Sequence, residues 1–127
     1  MVSIRDVMSD QVVTVDPAAT VAEAATVMGS RGIGSALVMQ GGQLRGIFTE
    51  RDIVRALGEH FYAAGHLVLN WMTADPVTVD ASASVPEALD LMLSKGFRHL
   101  PVMQEGRLVG MVSLRDLGRH AGTREVP

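Results

Sequence analysis

The stretch GIFTERD, at residues 46–52, decides the fold of this chain, because its pattern returns as GMVSLRD at residues 110–116. Each copy holds a glycine, two apolar residues, a hydroxyl residue and an aspartate three positions after the hydroxyl. The β-forming residues after the glycine predict a strand, whereas a hydroxyl three residues before a carboxylate is typical of a helix N-cap. We therefore expect each copy to be a strand that passes directly into a helix. The free N–H groups and the dipole at such a junction favour a phosphate.

The repetition extends over most of the chain. Residues 8–55 align without a gap with residues 72–119 when the sequence is shifted by 64 positions. Both copies contain the segments Val-Thr-Val-Asp, which begin at residues 13 and 77, and Val-Met-Gln, which begin at residues 38 and 102. Two copies are too few for a solenoid, so the repeat predicts a pseudo-two-fold pair of units with one architecture.

Composition bounds the class of protein. The 127 residues leave room for one domain or for two small units that share a core. The net charge is −3 and Lys95 is the only lysine, so no basic patch indicates nucleic acid or an anionic membrane as a partner. The chain has no cysteine, which excludes disulfides and thiol catalysis and fits a cytoplasmic protein. No signal peptide is visible, and no apolar run approaches the roughly 20 residues of a membrane helix.

Each half of the sequence predicts the element order β-α-β-β-α. Short strands are expected at 12–15 and 77–79, followed by helices that begin with capping boxes at 20–23 and 84–87 and end at Gly32 and Gly96. Strands are then expected at 35–40 and 44–48, and at 99–104 and 108–112. Their short glycine-containing turns make each pair an antiparallel hairpin.

The last helix of each half follows the repeated motif. In the first half it should place four apolar residues on one face, namely Ile53, Val54, Leu57 and Phe61. In the second half it is expected to be shorter and to end near Gly122.

The predicted fold class is α/β (α+β), with two β-α-β-β-α repeats related by a pseudo-two-fold axis. Because a unit of about 55 residues is marginal by itself, we expect the two repeats to pack through their small sheets. The predicted domains are repeat one at 4–62, a linker at 63–67, repeat two at 68–122 and a C-terminal tail at 123–127.

The repeat and its motif resemble a tandem pair of CBS domains, the family named after cystathionine β-synthase. The resemblance covers nearly the whole chain and is carried by the two motifs already quoted, by Met72-Thr73 ahead of residues 76–79, and by GFRHLPV at residues 96–102. It implies a non-catalytic module that binds an adenine nucleotide, such as AMP, ADP, ATP or NAD, in clefts between the paired repeats. It also implies a homodimer.

The resemblance implies a role for each matching residue. Asp52 and Asp116 would accept hydrogen bonds from the ribose hydroxyls, and Thr49 and Ser113 would bind the phosphate. The other implied ligand contacts are the adenine-side residues Thr14, Ile33, Ser35, Ala36, Thr78, Phe97, Leu100 and Pro101, and the phosphate-side residues Arg98 and His99. Arg51 and Arg115 are interpreted first as surface residues, with phosphate contact as the alternative.

The two repeats differ at one of these places. Repeat one has Gly34-Ser35 where repeat two has Arg98-His99, so a cation and an imidazole are present in one half only. We therefore expect the two clefts to bind phosphate with different affinities.

Structural roles are the alternative for several of these residues. The two hydroxyl–aspartate pairs could simply cap two helices, although a hydroxyl can accept from the helix and donate to a phosphate at the same time. Arg98 and His99 could be solvated residues at the start of a strand.

No catalytic or metal site is expected. His60, His66 and His120 lack metal-ligand spacing and are expected to be solvated. No P-loop, Ser–His–Asp set or facing carboxylate pair is present in the sequence, and no cofactor is required by any of its motifs.

The function that follows is that of a small sensor of adenine nucleotides whose altered packing is read by an unidentified protein target. A module that dimerises and binds nothing is one alternative, and a small enzyme acting on nucleotides is another.

Overall fold

The chain alternates short strands with helices, and the computed structural model describes residues 2–123. Two short 3-10 helices, Ala63–Gly65 and Val68–Asn70, lie near the middle of the chain. In chain order the other elements are α1 (Ile4–Val7), β1 (Thr14–Val15), α2 (Val21–Arg31), β2 (Ser35–Gln40), β3 (Gln43–Thr49), α3 (Glu50–Glu59), β4 (Thr73–Ala74), β5 (Val79–Asp80), α4 (Val85–Lys95), β6 (His99–Gln104), β7 (Arg107–Ser113) and α5 (Leu114–Thr123).

The described residues form two compact units that do not coincide with contiguous halves of the sequence. The first unit consists of residues 12–76, and the second combines the segment up to Gln11 with the segment from Val77 onward. The segment that precedes each repeat therefore belongs to the unit built on the other repeat. In the second unit, for example, the Ile4 amide donates to the Ala83 carbonyl at 2.8 Å.

The first unit contains a four-stranded sheet in the order β1-β2-β3-β4. β1 runs parallel to β2, while β2 and β3 form an antiparallel hairpin and β4 pairs antiparallel with β3. The predicted hairpin is confirmed. The core of this unit includes Phe48, Met28 and Trp71, and all three side chains are buried.

The second unit contains a three-stranded sheet in the order β5-β6-β7. β5 is parallel to β6, and β6 and β7 form the second predicted hairpin. Its core includes Leu100, Val112 and Leu117 together with Ile4 from the preceding segment. The mixed α/β class with two small sheets is confirmed.

Local signals set the first helix of each repeat. Thr20 and Ser84 cap α2 and α4, and each accepts a hydrogen bond from the backbone of the glutamate three residues later. Gly32 and Gly96 follow these helices in the left-handed conformation, with φ of 63° and 76°. The capping boxes and the glycine stops are as predicted.

The last helix of each repeat differs from the prediction in two ways. α3 and α5 have the same length of ten residues, so the expected shorter second copy was wrong. Of the predicted apolar face, only Ile53 packs against the core. The residue that α3 buries completely is instead the small Ala56. Val54 is 71% exposed and Phe61, which lies beyond the end of α3, is 83% exposed.

Between residues 2 and 123, no helix combines the length and the apolar character needed to cross a membrane.

Candidate functional site

The motif of the first unit is a strand–helix junction closed by reciprocal hydrogen bonds. Thr49 ends β3 in an extended conformation and caps α3, where its Oγ1 accepts from the Asp52 amide at 3.4 Å. In return, Asp52 Oδ2 accepts from the Thr49 amide at 2.9 Å and from the Thr49 hydroxyl at 3.2 Å. Asp52 is 8% exposed, an unusually buried position for a carboxylate. The predicted cap is confirmed.

The second unit repeats this geometry with serine. Ser113 Oγ accepts from the Asp116 amide at 3.0 Å, and Asp116 Oδ2 accepts from the Ser113 amide at 3.1 Å. Both side chains are half-buried. Each aspartate is thus held at the positive end of a helix, where the dipole stabilises a carboxylate.

The first residues of the hairpin strands lie beside these junctions. Ser35 is the cross-strand partner of Thr49, and His99 is the partner of Ser113. The Glu50 amide, at the start of α3, donates to the carbonyl of Gly34, the residue before β2, at 3.1 Å. The Leu114 amide, at the start of α5, donates to the carbonyl of Arg98, the residue before β6, at 2.7 Å. The structure therefore brings the predicted residues around 33–36 together with 49–52, and those around 97–101 together with 113–116.

Other predicted site residues occupy different environments. Thr14 and Thr78 are exposed, and Thr14 pairs with Leu37 in β2. Ile33 and Phe97 are half-buried and pack against the cores of their units. Arg51, Arg98 and Arg115 are exposed, whereas the side chains of Ala36, Leu100 and Pro101 are completely buried and leave only their backbone for a ligand.

Gly34 and Arg98, the residues that precede β2 and β6, differ in the charges around them. The Glu50 carboxylate lies against Gly34, in the place that a side chain at position 34 would need. In the second unit, Leu114 occupies the position of Glu50 and Arg98 that of Gly34. A carboxylate therefore lies at the first junction, whereas the second has leucine in place of Glu50 and an exposed arginine in place of Gly34.

Two residues that the sequence did not single out support Asp52. Arg55 Nη2 lies 3.2 Å from Asp52 Oδ1, and the same nitrogen donates to the Trp71 carbonyl at 3.0 Å. The i, i+3 spacing of Asp52 and Arg55 on a helix was a usable signal for the ion pair. The contact with Trp71 had no such signal, because that residue follows 16 positions later.

The two histidines of the first unit were expected to be solvated, which is wrong for His66, whereas His60 is exposed. His66 is half-buried, and its Nδ1 accepts from Trp71 Nε1 at 3.2 Å. The His60 ring lies 5.1 Å from that of His66. Within the described part of the chain, no three His, Cys, Asp or Glu side chains are grouped so that they could hold a metal ion.

The family model for the CBS domain matches residues 4–59 and again residues 65–121. The chain therefore belongs to the CBS domain family, as a pair of repeats.

Among its relatives is an uncharacterized 17.7 kDa protein from Acidianus ambivalens, 40% identical over 118 residues that cover 91% of this chain and 71% of the relative. The structure is similar to that of a CBS-domain containing protein from Agrobacterium tumefaciens, with a TM-score of 0.88, 31% identity and coverage of 94% and 92% of the two chains.

Two further structures share the fold and hold ligands. CBSX2 in complex with AMP has a TM-score of 0.80, 23% identity and coverage of 94% of this chain and 95% of that one. The CBS domain pair of protein MJ0100 in complex with 5′-methylthioadenosine and S-adenosyl-L-methionine has a TM-score of 0.88, 24% identity and coverage of 98% of each chain.

Proposed function

We propose that this chain is a non-catalytic regulatory module that binds an adenine nucleotide at the strand–helix junctions of its two repeats. The observation that carries the proposal is the twofold occurrence of an aspartate fixed at a helix N-terminus by the hydroxyl residue that caps the helix. The complexes of CBSX2 with AMP and of MJ0100 with adenosyl ligands support adenosine as the shared chemistry.

The proposed roles follow from the donors and acceptors at each junction. Asp52 and Asp116 each keep an oxygen, Oδ1, outside the bonds of the cap, and a carboxylate oxygen is a strong acceptor for a ribose hydroxyl. The Ser113 hydroxyl can donate to a phosphate at the helix N-terminus, whereas the Thr49 hydroxyl already donates to Asp52 Oδ2 and can bind a phosphate only by giving up that bond. Arg98 adds a cation near the second of these junctions.

A melting-shift screen tests the proposal. AMP, ADP, ATP, NAD and S-adenosylmethionine should each be added to the protein, with guanosine monophosphate and ribose 5-phosphate as controls. A ligand that binds only the folded state raises the unfolding midpoint with its concentration. We expect at least one adenosyl compound to raise it and the controls to have a smaller effect. A midpoint unchanged by all adenosyl compounds would contradict the proposal.

A ligand-free dimerisation module is the second candidate, and exposed apolar side chains favour it. Val54 and Leu57 lie three residues apart on α3 and are 71% and 47% exposed, while Phe61 and Tyr62 are 83% and 81% exposed. Apolar groups exposed in such a cluster are typical of a protein interface. Dimer formation is compatible with nucleotide binding, so the oligomeric state alone does not distinguish the two candidates. The melting-shift screen does, because a ligand-free module shows no shift with any adenosyl compound.

We propose that the molecule is a homodimer in either case. Light scattering at micromolar concentration should give twice the mass of the chain, and the double variant Val54→Glu, Leu57→Glu should give a monomer with an unchanged far-UV spectrum. A monomeric wild-type protein would refute the dimer.

A third candidate, an enzyme that acts on nucleotides, is tested by incubating ATP or NAD with the protein and separating the products by chromatography. No product is expected, because the two aspartates occupy equivalent junctions, where each accepts the backbone amide of its own capping residue, and do not face one another as a catalytic pair.

A further inference from the structure

The Asp52 carboxylate has only one acceptor position left. A carboxylate accepts about four hydrogen bonds. In the first unit, three donors already reach it: the Thr49 amide and hydroxyl on Oδ2, and Arg55 on Oδ1. The side chain of Asp52 is 11% exposed, so solvent has little access to it. Its orientation is therefore fixed from both oxygens, with one lone pair of Oδ1 open to a ligand.

Arg55 is itself held in place by Trp71. Its guanidinium carbon lies 4.9 Å from the centroid of the Trp71 ring, which is a cation–π distance, and its Nη2 also donates to the Trp71 carbonyl. An isolated ion pair that is half exposed would be mobile and weak. Two further contacts to one buried residue remove that mobility, because the guanidinium cannot leave Asp52 without leaving the ring as well.

Trp71 is in turn anchored inside the first unit. It is 7% exposed and donates from Nε1 to His66 Nδ1 at 3.2 Å, and the two ring centroids lie 6.1 Å apart with the ring planes at 16°. Asp52, Arg55, Trp71 and His66 thus form a continuous series of contacts, which we call the Asp52 support.

Over the residues that the structure describes, the second unit lacks the equivalents of Trp71 and of the Arg55–Asp52 ion pair. A shift of 64 positions places Arg119 at the position of Arg55 and Val7 at that of Trp71, and valine has no aromatic face on which a guanidinium can lie. Within residues 2–120, the ion pair found is that of Arg55 with Asp52, and Arg119 is exposed. Among the residues whose side chains the structure describes, the contacts that orient Asp116 are those of its cap.

We propose that Arg55 and Trp71 are positioning residues that hold Asp52 for a ribose hydroxyl, so that the Asp52 junction discriminates ribose from deoxyribose better than the Asp116 junction does. This inference rests on the proposed function, since it assigns a mechanism to the Asp52 site. The ordering of one side chain on binding lowers affinity by roughly two- to twelvefold, and a carboxylate that is already ordered avoids that loss.

The test compares AMP with 2′,3′-dideoxyadenosine monophosphate by calorimetry. The protein carries Asp116→Ala, so that the first junction dominates the signal. Arg55→Met and Trp71→Phe are introduced into this background, and Arg119→Met serves as the matched control. Trp71→Phe keeps an aromatic face and removes the hydrogen bond to His66. Thermal unfolding of each variant is recorded in parallel.

We expect Arg55→Met to lower the affinity for AMP by about two- to twelvefold and to leave the affinity for the dideoxy compound unchanged. The ratio of the two affinities should then fall by the same factor. Trp71→Phe should lower the ratio less, and Arg119→Met should not change it. A role that is only structural would weaken both compounds alike, and an unchanged ratio in Arg55→Met would overturn the inference. If Arg55→Met fails to fold, Arg55→Lys, which keeps the cation without the planar fork, is judged by the same ratio.

The outcomes also separate the inference from the proposed function. If the wild-type protein binds no adenosyl compound, or if Asp52→Ala binds AMP as well as its parent does, the proposed site is wrong and the inference falls with it. If Asp52→Ala lowers the affinity for AMP but Arg55→Met does not, the proposed function stands and the inference alone is overturned.

Discussion

Gly46 lies so close to the backbone of Thr73 that a Cβ on the glycine would be 2.9 Å from the Thr73 carbonyl oxygen and 2.5 Å from the sulfur of Met72. The equivalent Gly110 has the same relationship to Ser9, whose carbonyl oxygen would be 2.8 Å away. The glycine that opens each motif is thus required where a neighbouring segment crosses the strand, because only glycine permits so close an approach of another backbone.

Gly46→Ala should destabilise the protein by about 1–3 kcal/mol, since the backbone of β4 has to move to admit a methyl group. Gly58→Ala is the matched control, because Gly58 is helical and a Cβ there meets nothing within 4 Å. It should stabilise α3 by about 0.5–1 kcal/mol. Urea unfolding measures both free energies, and equal effects of the two substitutions would contradict the close approach.

Asp52→Ala should weaken nucleotide binding as well as stability. A hydrogen bond to a charged group contributes about 1.5–3 kcal/mol, so affinity should fall roughly ten- to a hundredfold or more. Asp116→Ala should act in the same way at the second junction. Loss of a helix cap by itself lowers stability by about 1 kcal/mol.

Glu23→Ala is the control for this prediction. Glu23 holds the same position in the capping box of α2, where its carboxylate accepts from the Thr20 amide at 2.8 Å. The Glu23→Ala variant should lower the free energy of unfolding, as the aspartate variants do, but leave the nucleotide affinity measured by calorimetry unchanged. Unaltered titration curves for both aspartate variants would show that the two carboxylates serve only as caps.

The secondary structure was predictable because its signals are local. The capping boxes at Thr20 and Ser84, the stops at Gly32 and Gly96 and the turns of both hairpins each depend on residues within four positions of one another. The repeat then supplied a second, independent copy of each signal.

Contacts between distant segments were not predictable in this way. Trp71 reaches Arg55 only because the segment after α3 folds back on the first unit, and no periodicity encodes that contact. The inclusion of α1 in the second unit likewise runs against sequence order. On α3, apolar periodicity favoured the larger Val54 for the core, but the space there fits the smaller Ala56.

The capping box of α4 should make stability depend on pH. Hydrogen bonds from the Ser84 amide and hydroxyl lower the pKa of Glu87 from its usual value of 4.5. The Glu87 carboxylate therefore binds a proton more readily in the unfolded chain than in the folded one. The stabilisation is present above the unfolded pKa and is lost as pH falls through the folded pKa. Glu87→Gln should flatten the fall in unfolding free energy measured by urea titration from about pH 6 to pH 3. An identical pH dependence in variant and wild type would contradict this prediction.

Phosphate preference should differ between the two junctions. Arg98 can donate two parallel hydrogen bonds to a phosphate, and such charge-assisted bonds are about twice as strong as neutral ones. At the first junction, the Glu50 carboxylate lies against Gly34 and repels an anion at the same helix terminus. Both junctions offer a hydroxyl and an aspartate, so these cannot be the source of a difference.

Calorimetry with AMP and with adenosine measures the preference as an affinity ratio. Arg98→Ala should lower the ratio of AMP to adenosine affinity by roughly tenfold, the effect of losing one charge-assisted hydrogen bond of about 1.5 kcal/mol. Glu50→Gln should raise the ratio, because it removes the negative charge and keeps the shape of the side chain. Arg107→Ala, an exposed arginine at the start of β7, is the control and should change neither affinity. Two equal sites in the wild type, unaffected by Arg98→Ala, would show that this arginine is only a solvated residue at the start of β6.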